Sequence, residues 1–493
     1  MEEEVEMLQD LRTYINHWNK TGELKRISGV DARLEMGVIT EEGMLRKGPA
    51  LLFENIPGYR SSFRILTNVM ATASRVSLAL NLGNTYKTEG ELVPLLMDKP
   101  KQWEERAALY SPTFVADGPV MENVLEVGDF DLADFPAPLW HERDGGRYLG
   151  TGCVVILRDP ETGVINLGCY RVMLVDRDKV TVYISVGKHG NSIMKKYHLK
   201  GLTCPIAISL GQAPALLLAA TLNVPPWISE YAYGGAILGE RIEVIAGGET
   251  ELPLPAYGEI VLEGECRPGE TAPEGPFGEW TGYYGGEQRP APLVRIKRVY
   301  HRHDPIVLGY SPAGRGDLYE VVYWHALLRS ATLKKALIEA GVPGVRGVWP
   351  HEFGGARQFV VVSIKQEFSG HARQAGFVAA QCREGAYAGR FVVVVDDDID
   401  PTDIKEVLWA LCTRTDPVTD IEFIRRAWST RLDPMKSPDS VPEAEAYYNT
   451  RAIIDACIPY ERRKDFPLRN SYSPELKEAI LKKWQDVFIP QER

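Results

Sequence analysis

The sequence predicts a mixed α/β protein with a β-rich middle, and three observations carry that prediction. Over roughly the first hundred residues, short strand-like runs such as PALLFENI alternate with helical stretches. From about Gly118 to Pro305 the texture changes to short apolar runs punctuated by Gly, Pro and Asp, the spacing of a β barrel or sandwich with helical inserts. Beyond Asp317, helical and strand-like runs alternate again, which indicates an α/β layer domain with parallel pairing.

Taken in order, the N-terminal MEEEVEMLQDLRTYINHW reads as an acidic amphipathic helix with Val5, Leu8, Leu11 and Ile15 on one side, not as a signal peptide. Gly22 to Ile56 reads as short strands and turns, and Phe63 to Leu96 as mostly helical. A charged segment, MDKPKQWEER, closes this portion. Through the middle, TGCVVILRD, GVINLGCYRVMLVD, KVTVYISV, CPIAISLG, IEVIA, YGEIVLEGEC and PLVRIKRVYHR have strand length and composition. The last third reads as helix LYEVVYWHALLRSATLKKALIEAG, strand QFVVVSIKQ, helix GHARQAGFVAAQCREG, strand RFVVVVDDDID and helix DIKEVLWALCTRT. A polar tail from Tyr447 ends in SPELKEAILKKWQDVF, a helix suited to packing on a partner subunit.

Composition excludes several function classes. A net charge of -11 over 493 residues argues against a sequence-independent nucleic-acid binder, which needs a basic face. An anionic substrate therefore needs a local basic pocket. The longest apolar runs, such as PALLLAATLNV, are too short to span a bilayer. The 7 cysteines are scattered with no CxxC pair, a reduced, cytoplasmic pattern without a cysteine-based zinc site.

The stretch EGPFGEWTGYYGG, from Glu274 to Gly286, is too rich in Gly and Pro for a helix and reads as a loop of fixed backbone. It carries two acids, Glu274 and Glu279, and a carboxyl pair on a rigid loop is what an acid/base site requires: one neutral donor beside one ionised partner. Alone, each acid reads equally as a solvated loop residue. Upstream, Arg171 on an otherwise apolar strand needs a buried anionic partner. Asn166, His189 and an acid such as Glu230 would supply oxygen and imidazole ligands suited to manganese or magnesium. Singly, His189 reads as a hydrogen-bonded structural histidine and Glu230 as a turn residue. The loop GKHGN suits a phosphate, with Lys188 adding charge, although neither a Walker motif nor a GxGxxG fingerprint is present.

Together, NxxxxR at Asn166 and Arg171, KHG at Lys188 and His189, PPWxSE ending at Glu230, and EGPFGExxGYY resemble the UbiD family of prenylated-FMN-dependent decarboxylases. The resemblance continues in DFPAPLWHERDGGRYLGTG before this series and in VVVSIKQEFSGHARQAG, VVVVDDDIDPTD and STRLDP after it, so it covers most of the chain in the family's order. It implies an N-terminal α/β portion over residues 1–117, a split β-barrel flavin domain over 118–310, a C-terminal α/β dimerisation domain over 311–450 and a helical tail over 451–493.

By the same resemblance, Asn166, His189 and Glu230 would bind Mn2+ or Mg2+ at the cofactor phosphate, with K+ nearby. Asn166, Leu167, Gly168, Cys169, Tyr170, Arg171, Lys188, His189, Glu230 and Lys365 would line the prenylated FMN. Glu274, Arg171 and Glu279 would be the catalytic set, Glu279 protonating the carbon left when carbon dioxide departs from a covalent cofactor–substrate adduct. A flavin prenyltransferase would supply the cofactor, and the assembly would be a homodimer or a hexamer made as a trimer of dimers.

The substrate side is expected around the helix Trp324 to Arg329 and near His351 and Trp428, with His325, Arg329 and His351 suited to a phenol or a second carboxylate. The reading is a small aromatic or heteroaromatic acid decarboxylase, of hydroxybenzoate or furan-dicarboxylate type. Its alternatives are a polyprenyl-hydroxybenzoate decarboxylase of ubiquinone synthesis, which needs a long apolar groove, an FMN reductase on the same fold, and a non-catalytic carboxylase subunit.

Overall fold

Four sheets organise the chain in the computed structural model, which describes residues 7–83, 86, 88–185, 187–312, 314–436 and 447–484. The first helix starts later than its sequence pattern suggests. It runs Leu11–Thr21 because the Asp10 carboxylate accepts the Arg12 amide at 2.8 Å and caps it, and its buried face is Leu11, Tyr14, Ile15 and Trp18. Leu8 precedes this cap, and Val5 lies outside the described residues. Arg12 and Arg302 converge on the buried Glu259, at 2.8 and 3.3 Å, and pin the helix to the central sheet.

The N-terminal sheet takes the order Leu24–Ser28, Ala50–Glu54, Arg64–Thr67, Ile306–Leu308. The stretch Phe63 to Leu96, helical by pattern, instead contributes the strand Arg64–Thr67 and two short helices, Ala73–Ala79 and Glu89–Leu96. Its partner Ile306–Leu308 arrives from far along the chain, in parallel, which local periodicity does not register.

The central sheet is antiparallel at every pairing. Its order is Tyr148–Gly150, Val172–Asp176, Lys179–Val182, Arg289–His301, Ile260–Glu274, Cys204–Ser209, Val154–Arg158, Ile165–Gly168, with Asn123–Glu126 also on Arg289–His301. The apolar run GVINLGCYRVMLVD is therefore two strands, Ile165–Gly168 and Val172–Asp176, six ladder steps apart. A flat sheet would separate them by roughly 29 Å at about 4.8 Å per step. The chain from Gly168 to Val172 reaches at most about 15 Å. The sheet must curl to bring its two ends together, which is the split barrel that the resemblance implies, and Arg171 sits in the link that closes the gap.

In the C-terminal sheet, Val345–Pro350, Phe359–Ile364, Phe391–Asp396, Tyr448–Ala456 and Ile421–Trp428 are neighbours in that order, parallel in the middle and antiparallel at both edges. FVVVSI and FVVVVD are apolar on both faces because both are covered. Val360, Val362, Val392 and Val394 share a core with the helix His371–Gln381, and Val361, Val393 and Val395 with Ile404–Arg414. The sheet continues past residue 450 to Ala456, and the tail helix is Pro474–Lys483, the Gln485–Phe488 part of its motif lying outside the described residues. Among the described residues no helix is long and apolar enough to cross a membrane.

The helix Glu320–Glu339 links the sheets, and its first residue is a buried carboxyl. Glu320 accepts the Met70 amide at 3.0 Å, its other oxygen has no partner, and burial pushes its pKa up to about 8. Because the folded state holds this proton more tightly than the unfolded chain, stability is full below the ordinary glutamate range and declines as pH rises through about 8. Glu320→Gln keeps an acceptor for Met70 and removes the titration. Its melting temperature is expected to match the parent at acid pH, to exceed it increasingly as pH rises from the ordinary glutamate range to about 8, and to stay ahead by a constant margin above that; a pH-independent difference would clear Glu320 of this role.

Candidate active site

The two longest strands, Ile260–Glu274 and Arg289–His301, form a hairpin whose tip is the Gly-Pro-rich loop. Glu274 is the last residue of the first strand and pairs with Arg289 across the ladder. Beyond it the backbone folds tightly. Glu279 donates its amide to the Tyr283 carbonyl at 3.0 Å, Gly282 closes a turn onto the Glu279 carbonyl at 2.9 Å, and Gly285 returns to Phe277 at 3.2 Å. Gly282 takes a φ of 81°, in the left-handed region where a Cβ is strained. The loop is rigid because its own hydrogen bonds close it.

Arg171 reaches this tip from the link between its two strands. Its Nε and Nη2 grip both oxygens of Glu274 at 2.8 and 2.9 Å, and its Nη1 donates to Glu279 at 3.0 Å. The guanidinium also lies over the rings of Tyr183, at 4.5 Å, and Phe277, at 5.3 Å. Glu274 is wholly buried and accepts a third hydrogen bond from the Tyr148 hydroxyl at 2.9 Å. The side chain of Glu279 is 20% exposed and, among the described residues, bonds to Arg171 alone. Burial pushes the Glu279 pKa up against the pull of Arg171 and Arg289. The environments of the two acids thus diverge: one is wholly buried and held by three hydrogen bonds, the other is part-exposed and held by one.

A second group lies beside the strand Ile165–Gly168. The Asn166 side-chain amide donates to Glu230 at 2.8 Å, and the Leu167 amide donates to the other Glu230 oxygen at 2.7 Å. Burial still pushes the Glu230 pKa up to about 7, and the Asn166 Oδ1 is buried without a partner. An orphaned acceptor beside a desolvated carboxyl is an environment that a hard cation would satisfy. His189 opens the helix His189–Leu199, which packs on this strand, but its ring bonds to neither Asn166 nor Glu230. Among the described residues no three His, Cys, Asp or Glu side chains converge as a metal site. Gly168 and Gly190 hold the Tyr170 ring close, a Cβ on Gly168 falling 2.3 Å from it, and Cys169 lies within the field of Lys188.

The remaining expected residues divide. His325 lies against Trp324, ring centroids 4.1 Å apart, and burial together with Arg357, Arg329 and Lys188 lowers its pKa well below the usual histidine range. Arg329 donates to the Glu384 carbonyl at 2.9 Å, and burial and Arg357 bring its pKa down to about 9. These two stand within the field of Arg357. Trp428 lies edge-on to Tyr387 at 4.9 Å. His351 does not join: it is buried, bonded to the Pro401 carbonyl at 2.9 Å, and burial lowers its pKa to about 4, so it is a satisfied core histidine. Lys365 is exposed just past the end of Phe359–Ile364 that lies away from Arg357, roughly 20 Å along the strand. The sequence reading missed Tyr148 and Arg357; Tyr148 stood inside the motif DGGRYLGTG, and Arg357 follows two glycines in GGARQF.

Comparison with known proteins decides what the constellation belongs to. Residues 15–93, 113–315 and 322–456 match the family models of the N-terminal, Rift-related and C-terminal domains of 3-octaprenyl-4-hydroxybenzoate carboxy-lyase. The chain is 32% identical to a pyrrole-2-carboxylic acid decarboxylase of Pseudomonas aeruginosa over 97% of its length and 98% of that protein's. The chain belongs to the UbiD family. Among solved structures it is similar to the UbiD-class enzyme HmfF from Pelotomaculum thermopropionicum in complex with FMN, with TM-score 0.83 and 28% identity over 96% of this chain and 100% of that one. An evolved dimeric form of HmfF in complex with prFMN gives 0.79 and 26% over 97% and 100%. All the sheets described above thus lie on a UbiD-class scaffold.

Tyr148 is the test of how this UbiD-family chain holds Glu274. Tyr148→Phe keeps the ring against Phe277, 4.0 Å away, and deletes one of three donors to a buried carboxylate. A loss of about 1–3 kcal/mol in unfolding free energy is expected from denaturant titration, and an unchanged midpoint would show that Arg171 alone suffices.

Proposed function

We propose that this chain catalyses the reversible, non-oxidative decarboxylation of a small aromatic or heteroaromatic carboxylic acid, with Glu279 as the proton donor. The observation that carries the proposal is the contrast between Glu274, gripped by Arg171 and Tyr148, and Glu279, held by one bond beside the recess. Family membership and the relatives' names as decarboxylases support it. The alternative of a polyprenyl-hydroxybenzoate decarboxylase is disfavoured by the cations gathered around His325, since Lys188, Arg329 and Arg357 suit a compact anion rather than a long apolar tail.

In the proposed mechanism Arg171 positions Glu279, and its two hydrogen bonds to Glu274 hold the guanidinium fixed on the pivot of Tyr183 and Phe277. The bond to the carboxyl carbon breaks, carbon dioxide leaves, and Glu279 delivers a proton to the ring carbon that carried it; the carboxyl is then recharged from solvent through its exposed side. When bound, prenylated FMN supplies the electron sink for the bond that breaks. Its phosphate would lie by Lys188 and the amino end of the helix His189–Leu199, with Asn166, Glu230 and His189 holding Mn2+ or Mg2+ there. K+, supply of the cofactor by a separate flavin prenyltransferase, assembly as a dimer or hexamer, and a cytoplasmic location complete the reading.

Glu279→Gln is expected to retain flavin and lose turnover by at least about 100-fold, since the other acid on Arg171, Glu274, is wholly buried and engaged by both Arg171 and Tyr148. In the parent, the rate should fall as pH rises through an apparent pKa above the ordinary glutamate value, because the donor must be protonated. Near-normal turnover by the Gln variant would remove Glu279 from the mechanism. His189→Ala is expected to lose metal by elemental analysis of the purified protein, and a full complement would count against His189 as a ligand. The reaction itself is checked on protein co-expressed with a flavin prenyltransferase and purified anaerobically, by carbon dioxide release from cinnamic, hydroxybenzoic, furoic, furandicarboxylic and pyrrole carboxylic acids. Release from one group upholds the proposal; a silent panel with prenylated FMN bound overturns it.

A further inference from the structure

The neck of the catalytic loop holds a second arginine. Arg289 opens the strand Arg289–His301 and stands directly across the ladder from Glu274. Its Nη2 donates to the Gly285 carbonyl at 2.6 Å, and its Nη1 donates to the Tyr183 hydroxyl at 3.1 Å. Its guanidinium lies 5.0 Å from the centre of the Tyr183 ring, the same ring that carries Arg171 at 4.5 Å. The Tyr183 amide in turn donates to the Arg171 carbonyl at 3.2 Å. One tyrosine thus joins the arginine that holds Glu279 to the arginine that ties the return of the loop.

The glycines between them fit closely. A Cβ on Gly285 would fall 2.7 Å from Glu279 Cγ, and one on Gly286 would fall 2.8 Å from Arg289 Nη2. The Gly285 amide closes onto the Phe277 carbonyl at 3.2 Å, so the residue that Arg289 holds is itself bonded across the turn that carries Glu279. Both of these Arg289 hydrogen bonds go to neutral oxygens, and its charge is left to act on its surroundings. Burial raises the Glu279 pKa; Arg171 and then Arg289 act against it, and Glu274 adds to the rise. Tyr319, from the segment before the helix Glu320–Glu339, also lies within the field of Glu279. Of the two cations, Arg171 also binds Glu274 with two bonds, whereas Arg289 reaches Glu279 through its field.

We propose that Arg289 is a positioning residue for the proton donor: through the Gly285 carbonyl and the Tyr183 ring it fixes the loop against Arg171, and it sets a second positive charge near the Glu279 carboxyl. The inference rests on the decarboxylase reading and deepens it. A desolvated donor without this charge holds its proton more tightly, and a donor on a loosened loop misses the carbon it must reach.

The test uses holoenzyme matured with a flavin prenyltransferase, as parent, Arg289→Met, Arg289→Gln and Arg289→Lys. Two quantities are followed against pH: kcat on the acid of the panel above that the parent turns over fastest, and the infrared carboxyl band that Glu279→Gln removes. Arg289→Met and Arg289→Gln are expected to move the Glu279 titration, and the falling limb of the rate profile, to higher pH. Their plateau kcat should drop about tenfold, with KM changed by less than about twofold. Arg289→Lys keeps the charge and should return both midpoints toward the parent and restore part of kcat. Midpoints unchanged in Arg289→Met and Arg289→Gln overturn the inference and leave Arg289 as a brace of the hairpin, whatever the fall in kcat or melting temperature. Midpoints in Arg289→Lys as high as in Arg289→Met overturn it too. If Arg289→Met does not fold, Arg289→Gln, which keeps a donor for the Gly285 carbonyl, decides by the same midpoint. If the parent releases carbon dioxide from no acid, the decarboxylase reading fails for that panel, and the infrared midpoints still decide: a rise reversed by lysine upholds the inference, and no rise overturns it.

Discussion

One buried guanidinium sets the terms for the rest of the molecule. Arg171 makes three hydrogen bonds to two glutamates that lie over a hundred positions away in the chain, and each partner is on a different part of one hairpin tip. A cation with 10% of its side chain exposed is tolerable only if that pairing is complete, because removing either glutamate leaves an uncompensated charge in low dielectric. The strand link Gly168 to Val172, the hairpin Ile260–Glu274/Arg289–His301 and the Tyr148 strand must therefore hold their mutual positions to within a hydrogen-bond length. The curl of the central sheet is what makes this possible, since it brings the two ends of the ladder within reach of a link of three residues.

The same economy explains how the two acids differ although they share a loop and a cation. Glu274 terminates a strand and inherits a buried position; Glu279 sits in the turn beyond it, where its backbone is tied by Tyr283 and Gly282 but its side chain is left facing the recess. Backbone rigidity and side-chain freedom are separated within six residues. Parts of the chain that follow add a cluster of cations and rings: the helix Glu320–Glu339 contributes His325 and Arg329, the Gly-Gly turn contributes Arg357, which lies over the rings of Trp280 and Tyr387, and Tyr387 meets Trp428. Its charge is opposite in sign to that of the chain as a whole, so an anion is drawn to one place on an otherwise acidic protein.

How much of this was legible depended on whether the signal was local. EGPFGEWTGYYGG announced a closed loop because Gly and Pro act through their own backbone, and the loop is closed by its own hydrogen bonds. FVVVSI and FVVVVD announced strands covered on both faces, and both faces are covered. The need of Arg171 for an acid followed from charge alone. By contrast, GVINLGCYRVMLVD looked like one strand because a strand break between apolar residues leaves no compositional mark, and RILT was lost among helices because its parallel partner, Ile306–Leu308, is remote. His351 was singled out for its chemistry, but the Pro401 carbonyl satisfies it.

By itself, then, the sequence determined the order of elements, the rigidity of the acidic loop and the family, because each rests on residue types and spacings that act locally or survive as an ordered set. Only the tertiary structure decided which acid is gripped three ways and which is held by one bond, that Tyr148 completes the grip, and that Arg357 lies over the ring of Trp280. Those are properties of distance and desolvation between residues remote in the chain, and a list of side chains carries neither.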